Sequence, residues 1–173
     1  GDGILRSTFT FIANVIVGIA FGILLATGLT LYGQTIGWIK GIGWGVSGFL
    51  AFSLLPSLGL PPEVPGAATA ELFPRQVWWL STAFSSAIGI ALIVFNSQYI
   101  WKAAGITALI VPHLIGAPKP NPGAVGSVPP ELAAHFVVNT LFFTAVMWLI
   151  LGIVSSYVLQ RLNANDKFPR KRA

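Results

Sequence analysis

The chain has 173 residues, of which 54% are hydrophobic and only 9% are charged, whereas about a quarter of the residues in an ordinary soluble domain are charged. This composition excludes a soluble protein, because its few polar side chains could not cover its surface, and the absence of cysteine excludes disulfides and thiolate metal ligands. Five of the ten basic residues lie between Arg161 and Arg172, and such a cluster beside a membrane helix favours contact with anionic lipid over nucleic acid.

Five apolar stretches predict membrane-spanning helices, each of which needs about 20 mostly apolar residues. Four of the five stretches reach this length. The remaining one, which is the fourth in the chain, is shorter and contains Lys102 and Pro112, so its helix either ends at Val111 or continues as a kinked segment. We therefore predict an all-α, polytopic membrane helix bundle with one transmembrane domain over residues 1–162. The five predicted transmembrane helices cover about residues 7–32, 36–58, 76–96, 99–117 and 132–159.

The distribution of basic residues predicts the orientation, because Lys and Arg near the ends of spans are retained in the cytoplasm. With five spans, the basic tail at residues 163–173 is cytoplasmic. The loops at about 59–75 and 118–131 then lie outside, together with four of the five acidic residues. Seven of the ten basic residues lie inside: Lys40, Lys102, Arg161, Lys167, Arg170, Lys171 and Arg172.

Two helical hairpins, formed by the second and third spans and by the fourth and fifth, share sequence features. Pro56 and Pro112 occupy similar places near the outer ends of their helices, and each outer loop contains a Pro-Pro-Glu triplet, at Pro61–Glu63 and Pro129–Glu131. A parallel duplication and chance similarity between apolar helices explain these features equally well. In transporters, proline-interrupted helices in corresponding places indicate the binding site, which here selects Pro56 and Pro112.

Three residues are candidate metal ligands. Glu131 and His135 are four residues apart, so a helix beginning at Pro130 places them on one face, and carboxylate and imidazole both suit divalent transition metals. Glu131 at a helix start also stabilises the helix dipole without any metal, and His135 could simply pair with it. His113 follows Pro112, where a broken helix frees backbone carbonyls. We predict a metal site from His113, Glu131 and His135.

Enzyme motifs and buried acids are both absent from the sequence. It contains no HExxH, no GxSxG and no P-loop, so we expect neither an enzyme nor catalytic residues, and no resident cofactor is predicted. No acidic residue lies in the middle of a predicted span, which argues against a proton-driven carrier that acts alone. Binding of a pigment or haem by His113 or His135 is a further alternative.

Four sequence strings together resemble the CbtA family of predicted cobalt transporter membrane subunits. They are GFLAFSLLPSLGLPPEVPG at 48–66, RQVWWLSTA at 75–83, VPHLIGAPKP at 111–120 and VPPELAAHFVV at 128–138. The resemblance implies cobalt import across a bacterial inner membrane and a small single-span partner resembling CbtB. It also implies a further hydrophobic segment before Gly1. His113 and Glu131 lie within the resembling strings, whereas His135 is proposed from spacing alone.

Two functions from different classes remain open at this point. The first is a membrane subunit of an uptake transporter for cobalt or another divalent transition metal, which the acidic outer side favours. The second is a non-transporting structural or accessory subunit of a larger membrane complex, which explains the absence of buried charge equally well. Cobalt would be the transported ion in the first case, and nucleic acid is expected in neither.

Overall fold

The computed structural model describes residues 2–33 and 37–166, which form five helices joined by loops. The described residues are helical without strands, which confirms the predicted all-α fold. Most of the predicted basic tail, including Lys167 and Arg170, lies outside the described residues. The helices are α1 (Asp2–Tyr32), α2 (Trp38–Ser57), α3 (Leu72–Phe95), α4 (Tyr99–Ile115) and α5 (Pro130–Asp166).

Four of these helices, α1, α2, α3 and α5, are long and apolar enough to cross a membrane. Helix α4 has 17 residues, and at about 1.5 Å per residue it is about 25 Å long, slightly less than a typical hydrocarbon core. It continues through Pro112 to Ile115, so the helix does not end at Val111. Helices α1, α3 and α5 begin before their predicted spans, and α5 also ends later, because a hydropathy pattern stops at polar residues that a helix can still include, whereas α2 lies within its predicted span.

The chain divides into two compact units. Unit 1 comprises residues 1–46 and 146–173, and therefore contains α1 and parts of α2 and α5. Unit 2 comprises residues 47–145, with the rest of α2, the α3–α4 hairpin, the beginning of α5 and the loops between them.

Unit 1 has a core of tryptophan packed against glycine and other aromatic rings. Trp148 is completely buried, and its ring centroid lies 4.6 Å from that of Phe21. Trp44 lies so close to Gly28 that a Cβ there would come within 2.6 Å of its ring. These two tryptophans lie deeper in their helices than residues that anchor a helix at the membrane surface, because they fill the core of unit 1.

Glycine also brings α2 and α5 together within unit 1. A Cβ at Gly41 would lie 2.6 Å from the carbonyl oxygen of Gly152, and a Cβ at Gly152 would lie 2.9 Å from Gly45. Backbone atoms of the two helices are therefore in direct contact, a mode of packing that small residues permit in membrane helices. Gly18, in contrast, has nothing within 4 Å of such a Cβ.

In unit 2, α3 and α4 form a hairpin whose backbones touch at a glycine pair. A Cβ at Gly89 would lie 2.7 Å from the Gly105 carbonyl oxygen, and a Cβ at Gly105 would lie 2.6 Å from that of Gly89. Nearer the loops, the Ser85 hydroxyl donates a 2.6 Å hydrogen bond to the carbonyl of Ala108. Pro112 has no N–H to offer this carbonyl four residues earlier, so Ser85 replaces the missing helical donor.

The proline of α2 is accommodated in a different way. Residues Leu50–Leu54 form a π-helical segment, and the N–H of Leu55 donates to the carbonyl of Leu50, five residues earlier. Pro56, which is completely buried, follows directly. One wider turn thus carries the helix up to the proline, and such π segments often occur at functional sites. The similar prolines of the two hairpins therefore have different local geometries, and the duplication stays a prediction.

The two long loops of unit 2 contact each other. We call residues 58–71 and 116–129 together the loop face. Within it, the backbone N–H of Ser127 donates a 3.1 Å hydrogen bond to the carbonyl of Gly66. Gly66 has φ of 93°, in the left-handed region where a side chain is strained. The two loops therefore lie at the same end of unit 2, as expected if both are on one side of the membrane.

Candidate functional site

The candidate site is built around Trp78, where α3 meets the ends of α2 and α4. Trp78 is 8% exposed and packs on Gly59, at which any Cβ would collide with the indole ring. The other neighbour is His113, whose ring meets the indole edge-on with centroids 5.8 Å apart. Trp78 thus fixes the position of His113 at the loop end of α4, and it requires a glycine at position 59 to do so.

Two ring nitrogens in this cluster have no hydrogen-bond partner. Both the Trp78 Nε1 and the His113 Nε2 are shielded from solvent in the structure. A buried polar group without a partner costs free energy, so native proteins keep few of them, and those that remain often belong to binding sites or hold water or an ion. The His113 Nε2 is the atom of this cluster that could accept a proton or coordinate a metal.

A carboxylate and a guanidinium meet beside this cluster. Glu63, from the Pro-Pro-Glu triplet of the first loop, forms an ion pair with Arg75 in the first turn of α3. The side chains are half-buried, with 23% and 28% of their surfaces exposed, respectively. The contact uses one terminal nitrogen of Arg75, and its Nε is buried without a partner. The Nε–H of Arg75 is therefore a hydrogen-bond donor that the ion pair does not use.

His113 and Glu63 line the same pocket on the loop face. This pocket has a volume of about 440 Å³ and is also lined by Trp78 and Lys119. A second, larger pocket of about 740 Å³ contains Glu63 again, together with Arg75. Its wall also includes polar side chains from three helices: Ser53, Ser57, Gln76, Thr140 and Thr144. Glu63 is thus common to both pockets, which we call the histidine pocket and the hydroxyl pocket.

The three metal ligands predicted from the sequence are placed separately. Glu131 lies in the first turn of α5, directly after Pro130, where it can stabilise the helix dipole. Glu131 and His135 are exposed and lie within one continuous helix. Among residues 2–33 and 37–166, no three His, Asp or Glu side chains form a group that could hold a metal. The structure therefore does not bring His113, Glu131 and His135 together, and their role in metal binding stays a prediction.

Comparison with known proteins decides the family. Residues 2–160 match the family of probable cobalt transporter subunits, CbtA. The chain belongs to the CbtA family. The match includes both loops and every residue of the histidine and hydroxyl pockets. Neither a curated protein nor a solved structure matches the chain.

The CbtA family description makes this chain a subunit of a probable cobalt transporter, which implies further subunits. The four long apolar helices fit a membrane protein. The family description names no residue, so the site rests on the geometry of unit 2. Carboxylate, imidazole and hydroxyl groups are all nitrogen or oxygen ligands, and these suit a divalent cation such as Co²⁺ in a chain without cysteine.

Sequence reasoning missed Glu63, Arg75 and Trp78 as members of the site. The sequence placed Glu63 only in a repeated Pro-Pro-Glu triplet, and Arg75 and Trp78 only in one of the strings that resemble CbtA. The signal that could have identified them is their position in two of the four strings that resemble the CbtA family, with His113 in a third. Spacing along the chain instead favoured Glu131 with His135, because a four-residue interval is visible without knowing the fold.

Proposed function

We propose that this chain is the membrane subunit of a transporter that takes up cobalt. The observation that carries the proposal is the match of residues 2–160 to the CbtA family, and the histidine pocket supports it. That pocket offers an imidazole and a carboxylate from different parts of the chain. A transported ion must bind well enough to be received and weakly enough to leave, and two protein ligands completed by water suit that requirement.

The proposed direction is from the loop face towards the basic C-terminus. The loop face would then be outside the inner membrane of a bacterium, and the tail would be cytoplasmic, as the positive-inside rule predicts. Glu63 in the histidine pocket and Glu131 beside the loop face supply negative charge on this side, which raises the local concentration of cations. The proposed partner is a small membrane subunit resembling CbtB.

A structural or accessory role is the alternative, and two observations favour it. Among the described residues, no three potential ligands are grouped for a metal, and the spans contain no acidic residue near their middle. In that case the glycine contacts of unit 1 would serve assembly, and another subunit would conduct the ion. Cobalt uptake by variants of the histidine pocket separates the two possibilities.

The test measures cobalt accumulation in cells that express the chain with its small partner subunit. We expect His113→Ala to lower accumulation roughly tenfold or more, as loss of a metal-contacting group does in other metal sites. Glu131→Ala and His135→Ala test the other two candidates in the same cells. The control is Glu71→Ala, because Glu71 is an exposed acid of the same loop that lines neither pocket.

Each outcome has a defined meaning. Accumulation that requires the chain, and that falls in the His113 variant but not in the Glu71 control, supports the uptake function. Accumulation that is unchanged in all three candidate variants contradicts the site. Cells whose cobalt content is the same with and without the chain contradict the uptake function itself and support the accessory role.

A further inference from the structure

Glu63 links two pockets of different chemistry. The histidine pocket lies on the loop face, whereas the hydroxyl pocket is lined by residues of α2, α3 and α5 as well as by the first loop. A carboxylate that reaches both can contact a cation in either one. Glu63 belongs to the first loop and not to a helix, so its place between the two pockets is set by the loop.

The hydroxyl pocket offers oxygen atoms in two ordered pairs. Ser53 and Ser57 are four residues apart on α2, and Thr140 and Thr144 are four residues apart on α5. Residues at this spacing lie on the same face of a helix, so each helix contributes a short row of hydroxyls to the pocket. Thr144 is 14 residues beyond Pro130, which corresponds to about 21 Å along the helix axis. The pocket therefore extends well into the apolar part of α5.

Such a row of oxygens is suited to a partly hydrated divalent cation. Hydroxyl groups can replace or hydrogen-bond the water molecules of an ion, and polar side chains between apolar helices reduce the cost of moving charge into a membrane. The π-helical turn at Leu50–Leu54, which includes Ser53, widens the helix at the same level. π segments of this kind often accompany ligand binding. The hydroxyl side chains in the pocket wall and the irregular turn are separate observations, and both lie at the same level of α2.

Arg75 forms an ion pair with Glu63, and a cation in these pockets would need the same carboxylate. Arg75 contacts Glu63 through one terminal nitrogen, while its Nε stays buried and without a partner. A paired guanidinium that uses both nitrogens of its fork holds a carboxylate more strongly than one that uses a single nitrogen. The half-buried pair can thus be displaced by a cation with twice the charge of Arg75. While the ion pair is intact, the charge of Arg75 neutralises that of Glu63. Dissociation of the pair would therefore make the Glu63 carboxylate available to another cation.

We propose that Glu63 transfers a divalent cation from the histidine pocket to the hydroxyl pocket, and that Arg75 holds Glu63 until the cation displaces it. This inference rests on the proposed uptake function and adds to it the carboxylate that carries the ion and the group that competes for it. His113 receives the cation first, because its Nε2 has no partner in the described part of the chain. The hydroxyl rows then accept the ion as Glu63 returns to Arg75.

Calorimetric titration of the purified full chain with CoCl₂ tests the competition. Glu63→Gln should weaken Co²⁺ binding by roughly tenfold, because ligand charge strongly affects cation affinity. Arg75→Gln should instead tighten binding by roughly two- to fivefold, which corresponds to the usual strength of a partly exposed ion pair. Glu71→Gln is the matched control, since it removes an exposed acid of the same loop that lines neither pocket. We expect it to bind Co²⁺ like the unaltered chain.

A variant that does not fold binds Co²⁺ less tightly, so tighter binding by Arg75→Gln together with weaker binding by Glu63→Gln excludes loss of folding as the common cause. Glu63→Gln leaves Arg75 without its partner and could destabilise the chain, so the double variant Glu63→Gln/Arg75→Gln provides a second measurement. It removes both charges and should fold like the unaltered chain while binding Co²⁺ as weakly as Glu63→Gln. Tight binding by the double variant, or weakened binding by Arg75→Gln, contradicts the inference.

Cobalt accumulation by the same variants separates this inference from the proposed function. If the unaltered chain accumulates cobalt with its partner and Glu63→Gln does so equally well, the role of Glu63 is wrong and the uptake function stands. If the unaltered chain gives no accumulation, the uptake function is wrong. An unaltered purified chain that binds no Co²⁺ also contradicts the inference, because the proposed transfer begins with binding.

Discussion

Units 1 and 2 both pack tryptophan against glycine, but they treat polar groups differently. Trp44 lies on Gly28 in unit 1, and Trp78 lies on Gly59 in unit 2. Within the described residues, the buried polar side-chain atoms without a partner all belong to unit 2: Arg75 Nε, Trp78 Nε1, Ser86 Oγ and His113 Nε2. Unit 1 is therefore organised by close packing, whereas unit 2 keeps polar atoms available next to its pockets. Functional sites commonly show this departure from complete satisfaction.

The largest expected effect comes from the tryptophan that both packs and positions the site. Trp78→Ala should lower the free energy of unfolding by about 3–5 kcal/mol, the usual range for removing a buried aromatic ring, and should also release His113. Thermal unfolding of the purified chain in detergent measures the change. Trp38→Ala is the control, because Trp38 is 61% exposed. Equal effects of the two substitutions would show that the Trp78 cluster does not organise unit 2.

The contribution of close packing in unit 1 is tested by adding a single methyl group. Gly152→Ala should destabilise the chain by about 1–3 kcal/mol, because its Cβ would collide with the carbonyl of Gly41 and overpacking costs about this much. Gly18→Ala adds the same methyl where nothing lies within 4 Å, so its unfolding temperature should match that of the unaltered chain. A Gly152→Ala chain as stable as the Gly18→Ala chain would contradict the close helix contact.

A smaller effect is expected from the hydrogen bond that compensates for Pro112 in unit 2. Ser85→Ala should destabilise the chain by about 1–2 kcal/mol, since it leaves the Ala108 carbonyl without its donor. The control is Ser81→Ala on the same helix, because Ser81 is exposed. Thermal unfolding of both variants compares them directly. If the double change Ser85→Ala/Pro112→Ala is no more stable than Ser85→Ala alone, the proline is not the reason for the hydrogen bond.

The sequence alone determined the class of fold. A chain with 54% hydrophobic residues and few charges must bury its apolar stretches in lipid, so the all-α membrane bundle and its five helices followed from composition and length. The CbtA resemblance came from four strings of the chain, and the match over residues 2–160 confirms it.

The tertiary structure alone decided which polar residues share a pocket. Glu63 and His113 are 50 residues apart in the chain, and no local pattern brings them together. They line one pocket because Trp78 packs on Gly59 and lies against the His113 ring, which joins the ends of three helices. The four-residue spacing could predict that Glu131 and His135 share a helix face, but it could not predict whether side chains of other helices lie opposite them. Periodicity reports neighbours along one helix, whereas a site made by several helices depends on how their side chains pack.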